Sequence, residues 1–384
     1  MRRRGLEMET DRDFGMDVPI HLFDTTAEFV TAALRSTGAI PAESEVAEVE
    51  IDQIGEGVGL MCMLARLTLR YRGPAKGAPS SVILKVPSTL PENREVGDFF
   101  NFYEREGRFY EHIGSSIDVR VPRCLFNHID IESGRFALLL EDFGARTMVS
   151  QIVGIDLTRA TEAVSAIARV HAQWWDTPQI HALDWMPRAI DQHIIGAGEQ
   201  YRRAWPRFVE LFGDRLPDGS VELGARVGPV WERSMADLFE RAPTTLCHGD
   251  LRADNLMFDD AAEGKEHVGV VDWQIAHRSA GIFDVGYLIT QSMTPEDRRL
   301  HDRTLVETWY AALATALGHE PADYTLDDAW QDYRAGLGVL TVFGVVAGGQ
   351  LDAANERGMQ LVSDMATRSF SAALDLDAGS LLAT

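Results

Sequence analysis

Two short stretches of the sequence carry residues that together could transfer a phosphoryl group. The first, residues 246–255, reads LCHGDLRADN and presents Asp250 and Asn255. The second, residues 270–274, reads VVDWQ and presents Asp272 after two valines. Phosphoryl transfer needs one carboxylate to orient and deprotonate a hydroxyl, and an amide oxygen and a second carboxylate to hold Mg²⁺ on nucleotide phosphates. Either stretch alone is also typical of a turn after a strand, but the two in this order indicate phosphoryl transfer.

The composition is typical of a soluble globular protein with an acidic surface. Of 384 residues, 45% are hydrophobic and 25% are charged, and 59 Asp and Glu against 36 Lys and Arg give a formal charge of -23. Such a surface is expected to repel nucleic acid and anionic membranes, so we predict neither as a partner. The acidity either favours a cationic substrate in an acidic cleft or serves solubility alone, and composition leaves both open.

Cysteine usage and hydropathy predict a cytoplasmic location. The three cysteines, Cys62, Cys124 and Cys247, are too few and too scattered for a disulfide framework or a zinc cluster, as expected in a reducing cytosol. The MRRR start is not followed by an apolar core, so no secretory peptide is expected. The longest uncharged run, residues 335–350, is shorter than the ~20 residues of a membrane span and predicts a buried helix.

The elements that must position these residues begin with a β-rich first part. After a capped helix at residues 27–36, strand patterns start at Val46 and form a hairpin with a glycine-rich turn. That turn contains Gly55, Gly57 and Gly59. Glycines let a backbone close over phosphates without Cβ clashes, although they also make ordinary hairpin turns.

A lysine and a glutamate in apolar surroundings predict an ion pair. Lys85 lies in the strand pattern at residues 81–87, and Glu106 lies within the aromatic stripe of a helix predicted over residues 99–110. An unpaired carboxylate in that stripe would be costly, so we predict that Glu106 pairs with Lys85. A lysine that snorkels to the surface is the alternative. The competing carboxylates are Glu95 and Glu104.

Two further strands close the first part, at residues 119–127 and 136–144. The second ends in the acidic, glycine-terminated segment 141–144, which predicts a lobe boundary. We therefore assign residues 1–142 to an N-lobe that binds nucleotide and residues 143–384 to a C-lobe with the catalytic, metal and acceptor-binding residues. The backbone around Glu141 and Phe143 could read an adenine edge.

The second part is predicted to be mainly helical. A helix that begins at Asp156 or Thr158 and ends near Trp175 places His171 on its apolar face, where a satisfied core or supporting histidine is favoured over a catalytic one. Asp284 is expected both to orient the catalytic loop and to cap the next helix. The remaining helices are predicted at residues 295–317, 326–351 and 357–374.

Residues 176–243 contain tryptophans among charged residues, with breaks expected at Pro206 and at residues 216–219. Two or three helices there could wall a substrate cleft, but core packing would give the same pattern.

The order of these parts resembles the aminoglycoside phosphotransferase and choline-kinase-like family. The resemblance runs from about residue 46 onward through the glycine turn, Lys85, Glu106, the acidic segment, HGD…N and DWQ. The stretch 171–175 and the acidic segment lean toward the branch that includes ecdysteroid-kinase-like proteins. The resemblance implies an α+β, two-lobed protein-kinase-like fold with a β-rich N-lobe and a mainly helical C-lobe.

The resemblance also implies a role for each matching residue, with ATP or GTP and Mg²⁺ as cofactors. Asp250 is implied as the base, Asn255 and Asp272 as Mg²⁺ ligands, and Arg252 as a group that stabilises developing charge, a solvated arginine being the alternative. The nucleotide-binding residues so implied are Gly55, Gly57, Gly59, Lys85, Glu106, Glu141 and Phe143.

Departures from protein kinases predict a small-molecule acceptor. Gly249 stands where protein kinases have an activation-sensing Arg, and the short interval between Asp272 and Asp284 leaves little room for an activation loop. The acceptor hydroxyl could belong to an aminoglycoside, an amino alcohol, a sugar or an apolar alcohol. The alternative function is a nucleotide-binding pseudokinase without turnover, which the presence of Lys85, Asp250 and both metal ligands disfavours.

Overall fold

The computed structural model describes residues 18–55, 61–130, 135–350 and 356–383, and the chain divides into two compact units. The first unit runs to Ser115 and continues from Pro122 to Gly144. The second contains Ser116–Val121 and the chain from Ala145 onward. The functional division at residues 142 and 143 stays a prediction.

The first unit is built on a five-stranded antiparallel sheet with strand order β1-β2-β3-β5-β4. Its strands are β1 (Glu45–Ile54), β2 (Cys62–Arg72), β3 (Ser81–Pro87), β4 (Cys124–Asp130) and β5 (Arg135–Glu141). Helix α1 (Ala27–Ser36) begins at Thr26, whose side chain accepts from the amide of Phe29. Phe29 then packs edge-on against Phe126 of β4, so the apolar face of α1 covers the sheet. The predicted hairpin is confirmed. Gly55 has a φ of 71°, while Gly57 and Gly59 lie outside the described residues.

The helix predicted over residues 99–110 is wrong in its extent. Helix α2 (Pro91–Phe99) ends before Asn101, and α3 (Phe102–Arg108) follows and continues into a short π-helical turn, Phe109–Ile113. Asn101 has a φ of 55°, a left-handed conformation that asparagine tolerates better than most residues. The break leaves the Phe99 side chain exposed, although the stripe placed it inside. Glu106 and Phe109 are buried as predicted.

The second unit is mainly helical, with two small antiparallel sheets of order β10-β7 and β6-β8-β9. Its strands are β6 (Thr147–Met148), β7 (Thr244–Cys247), β8 (Leu256–Phe258), β9 (Val268–Val270) and β10 (His277–Ala280). Its helices are α4 (Leu157–Trp174), α5 (Pro178–His181), α6 (Gln192–Phe212), α7 (Ser220–Arg241), α8 (Ile282–Ser292), α9 (Pro295–Leu317), α10 (Leu326–Gln350) and α11 (Glu356–Asp375). Among the described residues, no helix is both long enough and apolar enough to cross a bilayer.

Two local expectations fail, one for the second part of the sequence and one for the first. Helix α6 passes through Pro206 without ending, because Trp205 and Phe208 on either side stack with ring centroids 5.7 Å apart in the helical core. The strand predicted at residues 119–127 begins only at Cys124, and Arg120 instead bridges to Gly269 of β9 in the second unit.

The tryptophans of residues 176–243 serve core packing where the structure defines their contacts. Trp231 is buried and donates its indole N–H to the Val339 carbonyl at 2.9 Å. Trp205 stacks on Tyr201 and lies so close to Gly224 that an added Cβ there would meet the indole at 2.0 Å. Neither ring is thereby marked as a substrate contact.

Candidate active site

The loop after β7 carries Asp250, and its backbone is fixed by one buried carboxylate. The amides of His248 and Gly249 donate to the two oxygens of Asp284, at 2.7 and 2.8 Å. Gly249 has a φ of 86°, and a Cβ there would lie 2.6 Å from the Ile275 carbonyl oxygen. A side chain at 249 would therefore be strained and would clash, so glycine is required at this turn.

Asp284 belongs to a wholly buried chain of hydrogen bonds. Its Oδ2 also faces His171 Nε2 at 3.3 Å, and Trp309 Nε1 donates to His171 Nδ1 at 2.9 Å. Burial alone would raise the pKa of the Asp284 carboxyl, but the bonds from His171 and from the loop amides hold that pKa below its ordinary value. The predicted orienting role of Asp284 is confirmed, as is the prediction that His171 is a satisfied core histidine. The expected capping role of Asp284 is wrong, because the N-cap of α8 is Gly281 and no side chain caps it. Asp284 instead lies in the first turn of α8, where a negative charge complements the helix dipole.

His248 links the catalytic loop to the segment that carries Asp272. Its Nε2 donates to the Val271 carbonyl at 2.9 Å, and its Nδ1 accepts from the Asp250 amide at 3.1 Å. These bonds correspond to a neutral imidazole with its proton on Nε2. The ring also packs edge-on against Trp273 at 4.6 Å. His248 therefore has a structural role, because it connects the backbone at Asp250 to the backbone next to Asp272.

Asp250 and Asn255 are in direct contact. The amide nitrogen of Asn255 donates to the backbone oxygen and to Oδ2 of Asp250, at 2.8 and 3.0 Å. Because its NH₂ group is committed to Asp250, a cation would meet Asn255 through the amide oxygen. Asp272 follows β9 with a φ of 65°, a strained value for aspartate that is often found at functional sites. The Val271 amide donates to the Asn255 carbonyl at 3.0 Å, which ties the two predicted metal ligands together.

Arg252, which was predicted to stabilise developing charge, is held by the Asp250 carboxylate. Its Nε lies 3.1 Å from Oδ1 of Asp250, and its side chain is only 15% exposed. The solvated alternative is therefore disfavoured. Burial would lower the pKa of Arg252, but the charge of Asp250, with smaller contributions from Asp254 and Asp272, outweighs burial and raises the pKa above its ordinary value.

Two residues that contact this loop were missed by sequence reasoning. Tyr287 of α8 is fully buried, and burial together with the interaction of its hydroxyl with Asp250 raises the pKa of that phenol well above its ordinary value. Gln151 is 1% exposed and accepts from Arg252 Nη1 at 2.5 Å. Tyr287 stands three positions after Asp284 on the same helix, a signal that could have been used, whereas nothing local to Gln151 indicates its role.

In the first unit, the predicted Lys85–Glu106 ion pair is present. Lys85 Nζ lies 2.7 Å from Glu106 Oε2, with side-chain exposures of 4% and 1%. The competing Glu104 pairs with Arg108 instead. Helix α3 lies close to β4 at Gly107, where an added Cβ would meet the Asn127 side chain at 2.5 Å. The absence of a side chain at Gly107 thus lets α3 pack closely on β4, next to the position of Glu106.

The segment 141–144, which we call the hinge segment, is anchored to the sheet by Asp142. Its carboxylate accepts from Arg66 Nε at 2.7 Å, from Ser81 Oγ at 2.8 Å and from the Gly144 amide at 2.9 Å. Burial would raise the pKa of Asp142, but these bonds lower it. The Glu141 amide donates to the Arg123 carbonyl at 2.9 Å, so an adenine contact at Glu141 would have to use its carbonyl. Phe143 is half-buried.

The second unit thus gathers one carboxylate with an arginine and an amide, next to a second carboxylate on a strained backbone. Carboxylate and amide oxygens are the ligands that Mg²⁺ prefers, so Asp272 and Asn255 fit that ion by donor type. Asp250 is engaged with Arg252 and Asn255, an arrangement suited to orienting a hydroxyl.

Comparison with known proteins places these residues in a wider context. A profile of the phosphotransferase enzyme family (APH) matches residues 76–329. A comparison with curated proteins found no matching relative. Choline kinase from Cryptosporidium parvum superposes with a TM-score of 0.58 at 10% identity, covering 92% of this chain and 95% of that chain.

Two further solved structures are similar over comparable lengths. They are a putative aminoglycoside phosphotransferase from Ralstonia eutropha (TM-score 0.46, 16% identity, 91% and 98% covered) and an ethanolamine kinase from Plasmodium vivax (TM-score 0.48, 12% identity, 89% and 87% covered). The choline kinase likeness, with the β-rich first unit and the helical second, confirms the α+β, two-lobed protein-kinase-like fold. The leaning toward the ecdysteroid-kinase-like branch stays a prediction.

Proposed function

We propose that this chain, which belongs to the phosphotransferase enzyme family, transfers the γ-phosphoryl group of ATP or GTP to a hydroxyl of a small molecule. The observation that carries the proposal is the catalytic loop itself. Asp250 is bonded to Asn255 at 3.0 Å and to Arg252 at 3.1 Å, on a backbone pinned by Asp284. A decayed site would have no need to keep a partly buried carboxylate bonded to both an arginine and an amide at this position.

Each residue has a distinct task in the proposed reaction. Asp250 orients the acceptor hydroxyl and takes its proton as the oxygen attacks the γ-phosphorus. The bond from the γ-phosphorus to the β–γ bridging oxygen breaks, and the nucleoside diphosphate leaves. Asn255 and Asp272 would hold Mg²⁺, which when bound neutralises charge on the phosphates. Arg252, kept cationic by its surroundings, stabilises the charge that spreads over the transferred group.

The first unit is proposed to hold the nucleotide. Lys85 binds phosphate oxygens, and Glu106 keeps its ammonium group in place. Gly55, with its positive φ, belongs to the turn that would cover the phosphates, and the hinge segment would present backbone groups to the base. Gly57 and Gly59 keep their assignment as a prediction from sequence.

For the acceptor we propose a hydroxyl compound that carries a positive charge, such as an amino alcohol or an aminoglycoside. The net charge of -23 supports it, since a negative field concentrates cations near the surface. Trp231 and Trp205, which could have lined a substrate cleft, are instead engaged in the helical core. The acceptors named for the similar structures, choline and ethanolamine among them, are of the same chemical class.

The decisive experiment compares two aspartate variants. Asp250→Asn should bind Mg-nucleotide almost like the parent but lose about 10²–10⁴-fold in turnover, because only the base is removed. Asp272→Asn should also lose Mg²⁺-dependent nucleotide affinity. Calorimetric titration and transfer rates to a panel of hydroxylated amines measure both quantities. Asp259→Asn, in the same segment of chain but without an assigned role, is the matched control and should change neither.

The same measurements separate the enzyme from the pseudokinase alternative. A parent protein that binds Mg-nucleotide but phosphorylates no member of a broad hydroxyl panel would favour the pseudokinase. Equal loss of nucleotide affinity in both variants would refute the division of roles between Asp250 and Asp272.

A further inference from the structure

A line of buried side chains connects Arg252 to the C-terminal helix α11. Arg252 Nη1 donates to Gln151 Oε1 at 2.5 Å, and Gln151 Nε2 donates to Gln291 Oε1 at 3.3 Å. Gln291 Nε2 then donates to Ser369 Oγ at 2.6 Å, and that hydroxyl donates to the Met365 carbonyl at 2.9 Å. Gln151, Gln291 and Ser369 are each at most 1% exposed. We call this line the glutamine relay.

The relay has a single direction, and its far end sets that direction. The hydroxyl of Ser369 donates its one hydrogen bond to the Met365 carbonyl. Toward Gln291 it can therefore act only as an acceptor. Gln291 must therefore turn its oxygen toward Gln151, and Gln151 must turn its oxygen toward the arginine. Aligned hydrogen bonds of this kind polarise one another in a low-dielectric interior. The direction of the relay therefore determines that the Gln151 side chain presents its oxygen, and not its NH₂ group, to the guanidinium of Arg252.

The backbones of the two glutamines are held by the residue next to Ser369. Arg368 Nη1 donates to the carbonyls of Gln151 and Gln291, at 2.7 and 2.9 Å, and its Nη2 donates to the carbonyl of Ile152 at 3.1 Å. The Gln151 amide in turn donates to Asp254 of the catalytic loop at 2.7 Å. Two consecutive residues of α11 thus fix both the main chain and the side-chain direction of the relay.

We propose that Gln151 is a positioning residue that orients the Arg252 guanidinium against Asp250. The inference rests on the proposed phosphotransfer for its kinetic consequence. A guanidinium is planar, so one bond at Nε and another at Nη1 fix the orientation of its plane. Nε faces Asp250 and Nη1 faces Gln151. Asp254 Oδ2 lies farther from Nη1, at 3.7 Å. Without the Gln151 contact, only the Asp250 bond and this longer ion pair orient the guanidinium, so the charge near the transferred group and the Asp250 carboxylate are less well supported.

The test uses two near-isosteric replacements. Both lose the donor that Gln151 offers to Gln291, but Gln151→Met also removes the acceptor oxygen that faces Arg252, whereas Gln151→Glu keeps an oxygen there. We expect Gln151→Met to lower kcat about 10- to 100-fold, as misplacement of a catalytic group does, with nucleotide affinity within about twofold of the parent. Gln151→Glu should recover most of that loss. Circular dichroism and thermal unfolding of each variant show that the fold is retained.

A double-mutant cycle shows whether Gln151 acts through the arginine. Arg252→Ala and Arg252→Ala with Gln151→Met should have the same kcat, because the second change has nothing left to position. Independent, multiplicative losses would overturn the proposal, and so would a kcat of Gln151→Met equal to that of the parent.

A measurement without turnover keeps this inference distinguishable from the proposed function. In arginine-labelled protein, the Arg252 Nε–H signal should be sharp in the parent, and in Gln151→Met it should broaden or exchange faster. If the parent transfers no phosphoryl group but the signal changes as expected, the proposed function fails and the positioning stands. If the signal is identical in both proteins, the positioning fails whatever the activity.

Discussion

Replacing Asp284 by asparagine should loosen the catalytic loop while leaving its residues unchanged. Asp284 is fully buried and accepts from the amides of His248 and Gly249 and from the ring of His171. Asparagine has nearly the same shape, but one of its two polar atoms is a donor. One of the two loop amides would then face an NH₂ group and lose its partner.

The magnitude follows from the bonds that are lost. A hydrogen bond to a charged group contributes about 1.5–3 kcal/mol, and a buried donor left without a partner costs about 1–3 kcal/mol. Since Asp284→Asn leaves one loop amide without an acceptor, we expect a loss of about 1–3 kcal/mol in unfolding free energy. The backbone at His248 and Gly249 should also be held less firmly.

Two assays and a matched control test this expectation. Denaturant unfolding gives the loss of stability, and hydrogen exchange of a peptide spanning residues 246–252 reports the two loop amides directly. Asp302→Asn is the control, because Asp302 is also a buried carboxylate of the second unit but bonds to Arg298 and Tyr333. It should leave exchange at 246–252 unchanged. A loss below about 1 kcal/mol for Asp284→Asn, with normal exchange, would refute the reasoning.

The difference in unfolding free energy between the parent and Asp284→Asn should depend on pH, and the structure gives the sign of that dependence. The folded pKa of Asp284 lies below its ordinary value. Its stabilising contribution is therefore complete above the unfolded pKa of about 3.9 and is lost as the pH falls through the lower folded value. The stability difference between the parent and Asp284→Asn should be constant above about pH 5 and shrink in acid. A difference that grows in acid would contradict the assignment.

Three further predictions concern other parts of the site. Lys85→Ala should strongly raise the nucleotide KM. Glu106→Ala should raise it more mildly, since the glutamate acts through the lysine. Full activity of Lys85→Ala at low ATP would instead favour a lysine that snorkels to the surface. Gly249→Ala should cost about 1–3 kcal/mol in unfolding free energy from backbone strain and abolish turnover, whereas near-parent kinetics would show that the turn can relax. The KM of a cationic acceptor should rise with salt, because exposed charges are screened beyond roughly 8 Å at physiological ionic strength; a salt-independent KM would favour an apolar pocket.

The parts of the site that were predicted correctly from sequence are those in which a local pattern shows where a side chain is buried and whether it needs a partner there. Glu106 was assigned to Lys85 because a charge inside an aromatic stripe needs a partner, and the pair is present at 2.7 Å. His171 was assigned to the core because its helix face is apolar, and both ring nitrogens are engaged there. Such arguments need only the period of a helix and the cost of burying charge.

The parts that were missed depend on contacts distant in sequence or on one residue's backbone. The break at Asn101 comes from a single left-handed residue, which leaves the helical period around it intact. Helix α6 continues through Pro206 because of stacking that involves Phe370 of α11 as well as its own rings. Gln151 meets Arg252 and Gln291 across more than a hundred positions, so no window of sequence around it could reveal the relay.

The short antiparallel hairpin of β8 and β9 implies that the spacing of the two metal ligands along the chain is not itself under constraint. Asn255 immediately precedes β8, Asp272 closely follows β9, and the pairing of Leu256 with Val270 sets their separation. The distal end of this hairpin, from Asp260 to Glu266, is largely exposed. Residues inserted between Ala261 and Gly264 would lengthen the loop that joins β8 to β9 without shifting the pairing of Leu256 with Val270. This tip is therefore a permissive place to build in a reporter domain, and a position where evolution could change chain length while the chemistry stays the same.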